Sequence, residues 1–459
     1  MVRNFMSFLW NANENNDEDK RGRLVGNVTL DYKPFTNFNV RARVGTDLIN
    51  TNAQVETASR NPVNSGQYQE RFGKTQLDYF ELLTTYNKDI NEDINLALTA
   101  GGSISKQKHS DSSVRTEGGL IVPNWFSLKN SARQRVSDGN RDGKRVDALF
   151  GVASFSYQNM VFLEATGRND WSSTLPHNNQ SFFYPSVSGS FVFSDLLPEW
   201  SWLDFAKVRA SWANTGNDTG SNFYRANKVY SYGNYNGAVT NTFSNSVPPT
   251  NLVNENSLVT EFGIEARTLN NRLGFDLTYY KERRVDQIIP LDIPLSSGAS
   301  STIVNAGELA NSGIELQINA LPIETENFSW RTIANFAKNK NEVVELAQGI
   351  DQLFNQSNIG GAIRNLAKVG VPYGQWEAYT YQTDDNGNRV IDGDGLYVRD
   401  DSERVNVGNS TPDLVGGFTN IITYKGFTLN AHIDFVVGGD IFSFTNYYGT
   451  NAGKLEESL

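Results

Sequence analysis

"FTNIITYKGFTLNAHIDF", residues Phe418 to Phe435, carries two alternating runs joined by a two-residue break. In the second run Phe427, Leu429, Ala431, Ile433 and Phe435 fall at every other position, with Thr428, Asn430, His432 and Asp434 between them. Successive side chains of a strand point to opposite faces, so this is a strand with one apolar and one polar side. A turn at Lys425-Gly426 sets Ile422 opposite Leu429 and Phe418 opposite Ile433, which puts the apolar residues of both strands on one face. The two runs therefore predict an antiparallel hairpin with two unlike faces.

The same alternation recurs along the chain. Val28, Leu30 and Tyr32 alternate with Thr29 and Asp31; Phe38, Val40, Ala42 and Val44 with Asn39, Arg41 and Arg43; Ile314, Leu316 and Ile318 with Glu315, Gln317 and Asn319. Such runs number about fourteen, each of roughly 9 to 11 residues, the length a tilted strand needs to cross a bilayer. They fall into pairs at 24–32 with 38–48, 77–87 with 93–104, 147–157 with 160–170, 186–194 with 204–213, 260–267 with 272–282, 312–321 with 328–338, and 415–424 with 427–437. Connections are short within a pair and long between pairs, as in outer-membrane barrels with tight periplasmic turns and long outer loops. Around "TLNN" (Thr268–Asn271) the expected register sets Ile264 opposite Phe275, Phe262 opposite Leu277 and Ala266 opposite Leu273. At Gln158-Asn159, where Glu164 shares a face with Phe162, a bulge is expected. Tyr32 and Phe38, Trp200 and Trp202, and Tyr424 and Phe427 lie beside the short turns, where an interfacial aromatic girdle belongs.

Composition agrees. The 459 residues are 38% hydrophobic and 12% aromatic, with 39 glycines, and no window approaches the apolar run of a spanning helix. No linker or charge block divides the chain, so residues 1–459 are expected to form one continuous all-β architecture without a second domain. A net charge of −11 argues against nucleic acid as a partner. With no cysteine, disulfides and thiolate metal sites are excluded. The first twenty residues have no clean apolar core or small-residue cleavage site and are not read as a signal peptide.

Four stretches add a resemblance. "GRNDWSSTLPHNNQSFFYPSVSGSFVFSDLL" (167–197), "KVRASWANTGND" (207–218), "NAGELANSGIELQINALPI" (305–323) and "GNSTPDLVGGFTNIITYKGF" (408–427) resemble, in the same order, the SusC/RagA family of TonB-linked outer-membrane proteins. The first is an outer loop descending into a strand whose Val187, Gly189, Phe191 and Phe193 face lipid and whose Ser186, Ser188 and Ser190 face the lumen. The resemblance implies an antiparallel transmembrane β-barrel of about twenty-two strands around an N-terminal plug. It also implies import of oligosaccharides or peptides together with a SusD-like surface lipoprotein, energised by the TonB complex. Plug, TonB box and an aromatic terminal strand are not found here. The chain is expected to be a piece of that barrel, truncated at both ends, unable by itself to be exported or coupled to TonB. The competing expectations are a siderophore-type receptor, a self-contained passive channel and a soluble all-β adhesin.

The search for chemistry yields no catalytic, cofactor-binding or metal-binding residue. His109, His177 and His432 are far apart, and no H-E-x-x-H, G-x-S-x-G or phosphate-loop motif is present. His432, among inward polar residues, is expected to line a lumen. Asp384 to Gly395, "DDNGNRVIDGDG", has ligand-like spacing at Asp384, Asn386 and Asn388, yet Arg389 stands where an EF-hand wants Gly and no Glu closes the loop. An Asx-rich turn is the plainer reading. Trp125, Trp171, Trp376, Tyr379 and Tyr381 present faces suited to sugar rings, although loops packing on one another explain such residues equally well.

Overall fold

The computed structural model describes residues 8–60, 64–220, 223–224, 226–227, 230–236, 238–249, 251–359 and 363–456. The strands in chain order are β1 (Asn16–Phe35), β2 (Phe38–Thr57), β3 (Gln67–Asp89), β4 (Ile94–Leu120), β5 (Ser131–Tyr157), β6 (Val161–Ser172), β7 (Ser181–Val192) and β8 (Leu203–Asn217). Next come β9 (Tyr230–Tyr235), β10 (Ala238–Phe243), β11 (Ser246–Val247), β12 (Glu255–Thr268), β13 (Leu273–Val285), β14 (Ile288–Asp292), β15 (Ser301–Asn305), β16 (Glu308–Glu324) and β17 (Phe328–Glu345). The last are β18 (Gln352–Ile359), β19 (Ile363–Lys368), β20 (Gln375–Tyr381), β21 (Arg399–Asn409), β22 (Pro412–Tyr424) and β23 (Phe427–Gly438).

Fourteen of these build one sheet, ordered β1-β2-β3-β4-β5-β6-β7-β8-β12-β13-β16-β17-β22-β23, and every neighbouring pair is antiparallel. They correspond one to one with the fourteen alternating runs. Among the described residues β1 pairs in this sheet only with β2, and β23 only with β22, so no closed barrel forms. The sheet is a partial barrel with two open edges.

Its faces differ as the alternation requires. Val28 (75% exposed), Leu149 (61%) and Ile433 (62%) stand on the apolar face beside Leu30, Val187 and Leu429. A continuous apolar face of this extent is an aggregation surface in water and a solvated one in lipid. Phe35 packs edge-on to Phe38 and Trp200 stacks on Trp202, both beside short turns, with Tyr424 and Phe427 exposed at another. These aromatics stand beside the short turns, as their positions in the sequence require.

Four details depart from the sequence reading. First, β1 to β5 are 20 to 27 residues long. Their outer halves run beyond any bilayer, where both sides meet water and alternation is no longer required. Second, the β12–β13 register is two residues from expectation: Ile264 faces Leu277, Phe262 faces Tyr279 and Ala266 faces Phe275. The turn has four residues, with Leu269, Asn270 and Asn271 all at positive φ, so the shift is even and each side chain keeps its face. Third, β5 and β6 pair without a bulge; Glu164 sits opposite Ser154 and accepts its hydroxyl at 2.9 Å.

Fourth, the outer connections carry sheets of their own: β9 with β10, β11 with β15 and β14, and β18 to β21. The parallel β11–β15 pair ties the segment after β8 to the one after β13. Beneath them are two small dry cores, one of Leu175, Phe182 and Leu252, the other of Val343, Leu346 and Ala367.

Candidate functional site

The polar face is organised in rows, because each antiparallel register repeats across several strands. One row runs Lys207, Glu265, Asp276, Gln317, Asn335, Gly417 and Asp434, from β8 to β23. The next, two residues further out, runs Arg209, Gly263, Thr278, Glu315 and Ala337. A third runs Ser211, Glu261, Tyr280, Gly313 and Asn339. Sequence alternation alone puts these residues on one side; register turns them into a continuous polar surface.

Ion pairs and amide bonds stitch the rows. Lys207 and Arg267 both hold Glu265, each at 2.8 Å. Arg209 reaches past the intervening strand to Asp276 with two bonds of 2.6 and 3.0 Å, and also donates to Thr278. Bidentate geometry fixes the guanidinium plane as well as its position. The Tyr280 hydroxyl donates to Asn339 at 3.0 Å. Glu282 accepts from Arg284, Ser257 and Asn311. At the far edge His432 lies on the polar face, 2.7 Å from Thr419 and 2.8 Å from Asp434. Two hollows open on this face. One of about 620 Å³ is bordered by Arg209, Asp276, Glu315, Gln317, Asn335 and Asp434. Another of about 480 Å³ is bordered by Ser154, Glu164, Ser188, Lys207 and Glu261, and again by Arg209. The wall offers a slow-changing set of donors and acceptors.

The other sequence candidates go elsewhere. His109, on the long outer part of β4, contacts Thr75 of β3, and His177 lies in a short 3-10 turn. Asp384 to Gly395 is two successive tight turns rather than one ligand loop, bracketed by the bridges Thr383–Arg389 and Ile391–Tyr397. In the first, Asp384 accepts the backbone N–H groups of Asn386 and Asn388; in the second, Asp392 accepts those of Asp394 and Leu396. The Asn388 side chain and then the backbone N–H groups hold the Asp384 carboxyl below its ordinary range. Among the described residues no three acidic or imidazole side chains converge as a metal site. The Trp376 indole donates to the Asp440 carbonyl; Tyr379 lies under Arg399 and Arg404; Tyr381 packs on Tyr397 beneath Arg389. Trp171 shares the apolar face with Leu163, and Trp125 remains exposed. The sequence reading missed Arg209, Asp276 and Tyr280 as wall residues; their signal was parity with Ser211 and Glu261, legible only once the register was known.

At the outer rim lies a buried network. Asp218, 6% exposed, accepts from Lys144 at 2.7 Å, from Ser172 at 2.6 Å and from the Gly220 N–H at 2.9 Å. Burial opposes ionisation there, but the Lys144 and Ser172 bonds and the Lys144 charge outweigh it and hold the carboxyl below its ordinary range.

Known proteins share this architecture. A structure of the RagAB peptide transporter superposes with a TM-score of 0.84 at 20% identity, over 97% of this chain and 51% of that one. The siderophore receptor PiuA of Acinetobacter baumannii gives 0.53 at 13% identity, over 92% of this chain and 55% of that one. In sequence, the chain is 29% identical to TonB-dependent receptor P3 of Formosa agariphila, over 79% of this chain and 38% of that protein. It is 26% identical to receptor P26 of the same organism, over 95% and 47%, and 24% identical to TonB-dependent receptor SusC of Bacteroides thetaiotaomicron, over 90% and 43%. The chain thus spans less than half the length of these curated relatives. Residues 3–451 match the family model for the TonB dependent receptor-like β-barrel, so this two-faced open sheet is an outer-membrane protein and belongs to that family.

Proposed function

We propose that residues 1–459 form one continuous part of the wall of a TonB-dependent nutrient importer of the SusC/RagA kind, a carrier rather than an enzyme. The intact parent protein takes up oligosaccharides or peptides, receives them from a SusD-like surface lipoprotein and draws energy from the TonB complex. The observation that carries this reading is the polar inner wall, with its rows of paired charges and amides, behind an apolar face suited to lipid. The rows hold more carboxylates than cations among many amides and hydroxyls, which favours hydroxyl-rich or amide-rich cargo over an anionic one.

The test is uptake of labelled oligosaccharide and peptide pools by cells with and without the gene, each with and without a protonophore. Energy-dependent uptake that disappears with the gene is the expected result. Leakage that persists without energy favours the passive channel, and loss confined to ferric siderophores favours the siderophore receptor; either outcome overturns the proposal.

A further inference from the structure

We propose that Gly263 and Gly313 are clearance positions that let Arg209 and Tyr280 lie flat against the inner wall, and so determine how far the wall intrudes on the passage. The proposal rests on the reading of this face as the lining of an import path.

Both glycines occupy inward positions on strands sandwiched between a long side chain and its partner. Gly263 on β12 pairs with Arg209 on one side and Thr278 on the other, and Arg209 passes over it to reach Asp276 and Thr278 on β13. Gly313 on β16 pairs with Tyr280 and Asn339, and the Tyr280 hydroxyl passes over it to Asn339 on β17. A Cβ at Gly263 would come 2.5 Å from the Arg209 Cζ; at Gly313 it would come 2.5 Å from the Tyr280 hydroxyl oxygen and 2.7 Å from the Lys338 carbonyl oxygen. Neither glycine has a positive φ; at Gly263 the nearest atoms all belong to the crossing Arg209, whereas at Gly313 the crossing Tyr280 and the Lys338 carbonyl exclude a side chain together. The same device thus occurs twice, and together the two crossings connect five adjacent strands, β8, β12, β13, β16 and β17.

Its consequence is steric. Arg209 borders both hollows of the wall. Displaced by a side chain at position 263, it would rise between them as a cationic post.

The experiment uses the full-length protein in outer-membrane vesicles, with T278C as a thiol reporter beneath the Arg209 guanidinium. Position 278 would be the only cysteine in this chain. Labelling by a neutral thiol reagent is compared for the reporter alone, with G263V, with R209A, and with both. Expected is a rise of roughly tenfold on G263V, matching R209A, with no further rise in the double variant, since coupled neighbours are non-additive. A rate unchanged by G263V, or a G263V effect that persists in full without Arg209, overturns the proposal. If G263V fails to reach the membrane, recovery of its level by R209A supports the clash and no recovery overturns it. The readout needs neither cargo nor TonB, so it stands or falls separately from the import assignment.

Discussion

The sheet wall and the outer connections of this chain are stabilised in opposite ways. In the wall, apolar side chains point outward and remain exposed, as at Val28 and Ile433, while the polar groups pair on the inner face. Order there comes from the backbone ladder and from lipid. In the connections, apolar groups turn inward around Leu252 and Val343, and charges are themselves buried, Glu377 at 3% exposure against Arg364 and Lys368. One polypeptide obeys membrane rules over one half of its height and aqueous rules over the other. Substitutions of one kind should therefore damage only one region.

The largest expected effect tests the aqueous half. Removing Arg364 in R364A leaves Glu377 buried with the longer 3.6 Å contact to Lys368 and a 3.3 Å bond from the Gln375 amide, at a cost of ~3–5 kcal/mol to the β18–β21 sheet. Proteolytic cleavage within residues 346–411 should accelerate while protection of the wall strands is unchanged; equal loss in both regions would mean that they fold as one unit. Next, L277R places a charge on the lipid face midway along β13 and should cost ~2–4 kcal/mol, whereas T278R, one residue away on the inner face, should cost far less. Unfolding in lipid vesicles measures both, and equal costs would contradict the assignment of faces. The smallest effect is one of pH. Asp218 has a lowered folded pKa, so its stabilisation of the rim is present above the unfolded value of about 4 and is lost as pH falls through the folded one. Proteolysis of residues 218–254 should be flat from neutral pH to about 4 and rise below it, and K144M should shift that rise upward.

The contrast also explains what could be read in advance. The fourteen wall strands were legible because lipid on one side and water on the other impose a period of two, as between Phe427 and Phe435. The outer part of β5, "SARQRVSDGNRDGK" from Ser131 to Lys144, has no apolar alternation, because nothing there demands two unlike faces. Strands such as β14 and β19 form where tertiary contacts supply a partner, a condition not written in their own five or six residues. For the candidate site, parity was legible at Ser186, Glu315 and His432. The crossings of Arg209 and Tyr280 were not, since they depend on which glycine stands opposite, and thus on register.

The unequal strands have a consequence for the outline of the rim. β4 and β5 have 27 residues each, whereas β6 and β7 have 12. At about 3.3 Å per residue and a tilt of about 40°, that difference raises one stretch of the rim on the order of 40 Å above its neighbour. The rim is stepped: β4 and β5 rise past β6 and β7, and over that lower stretch the connections close down instead, with Leu252 packing on Leu175 and Phe182.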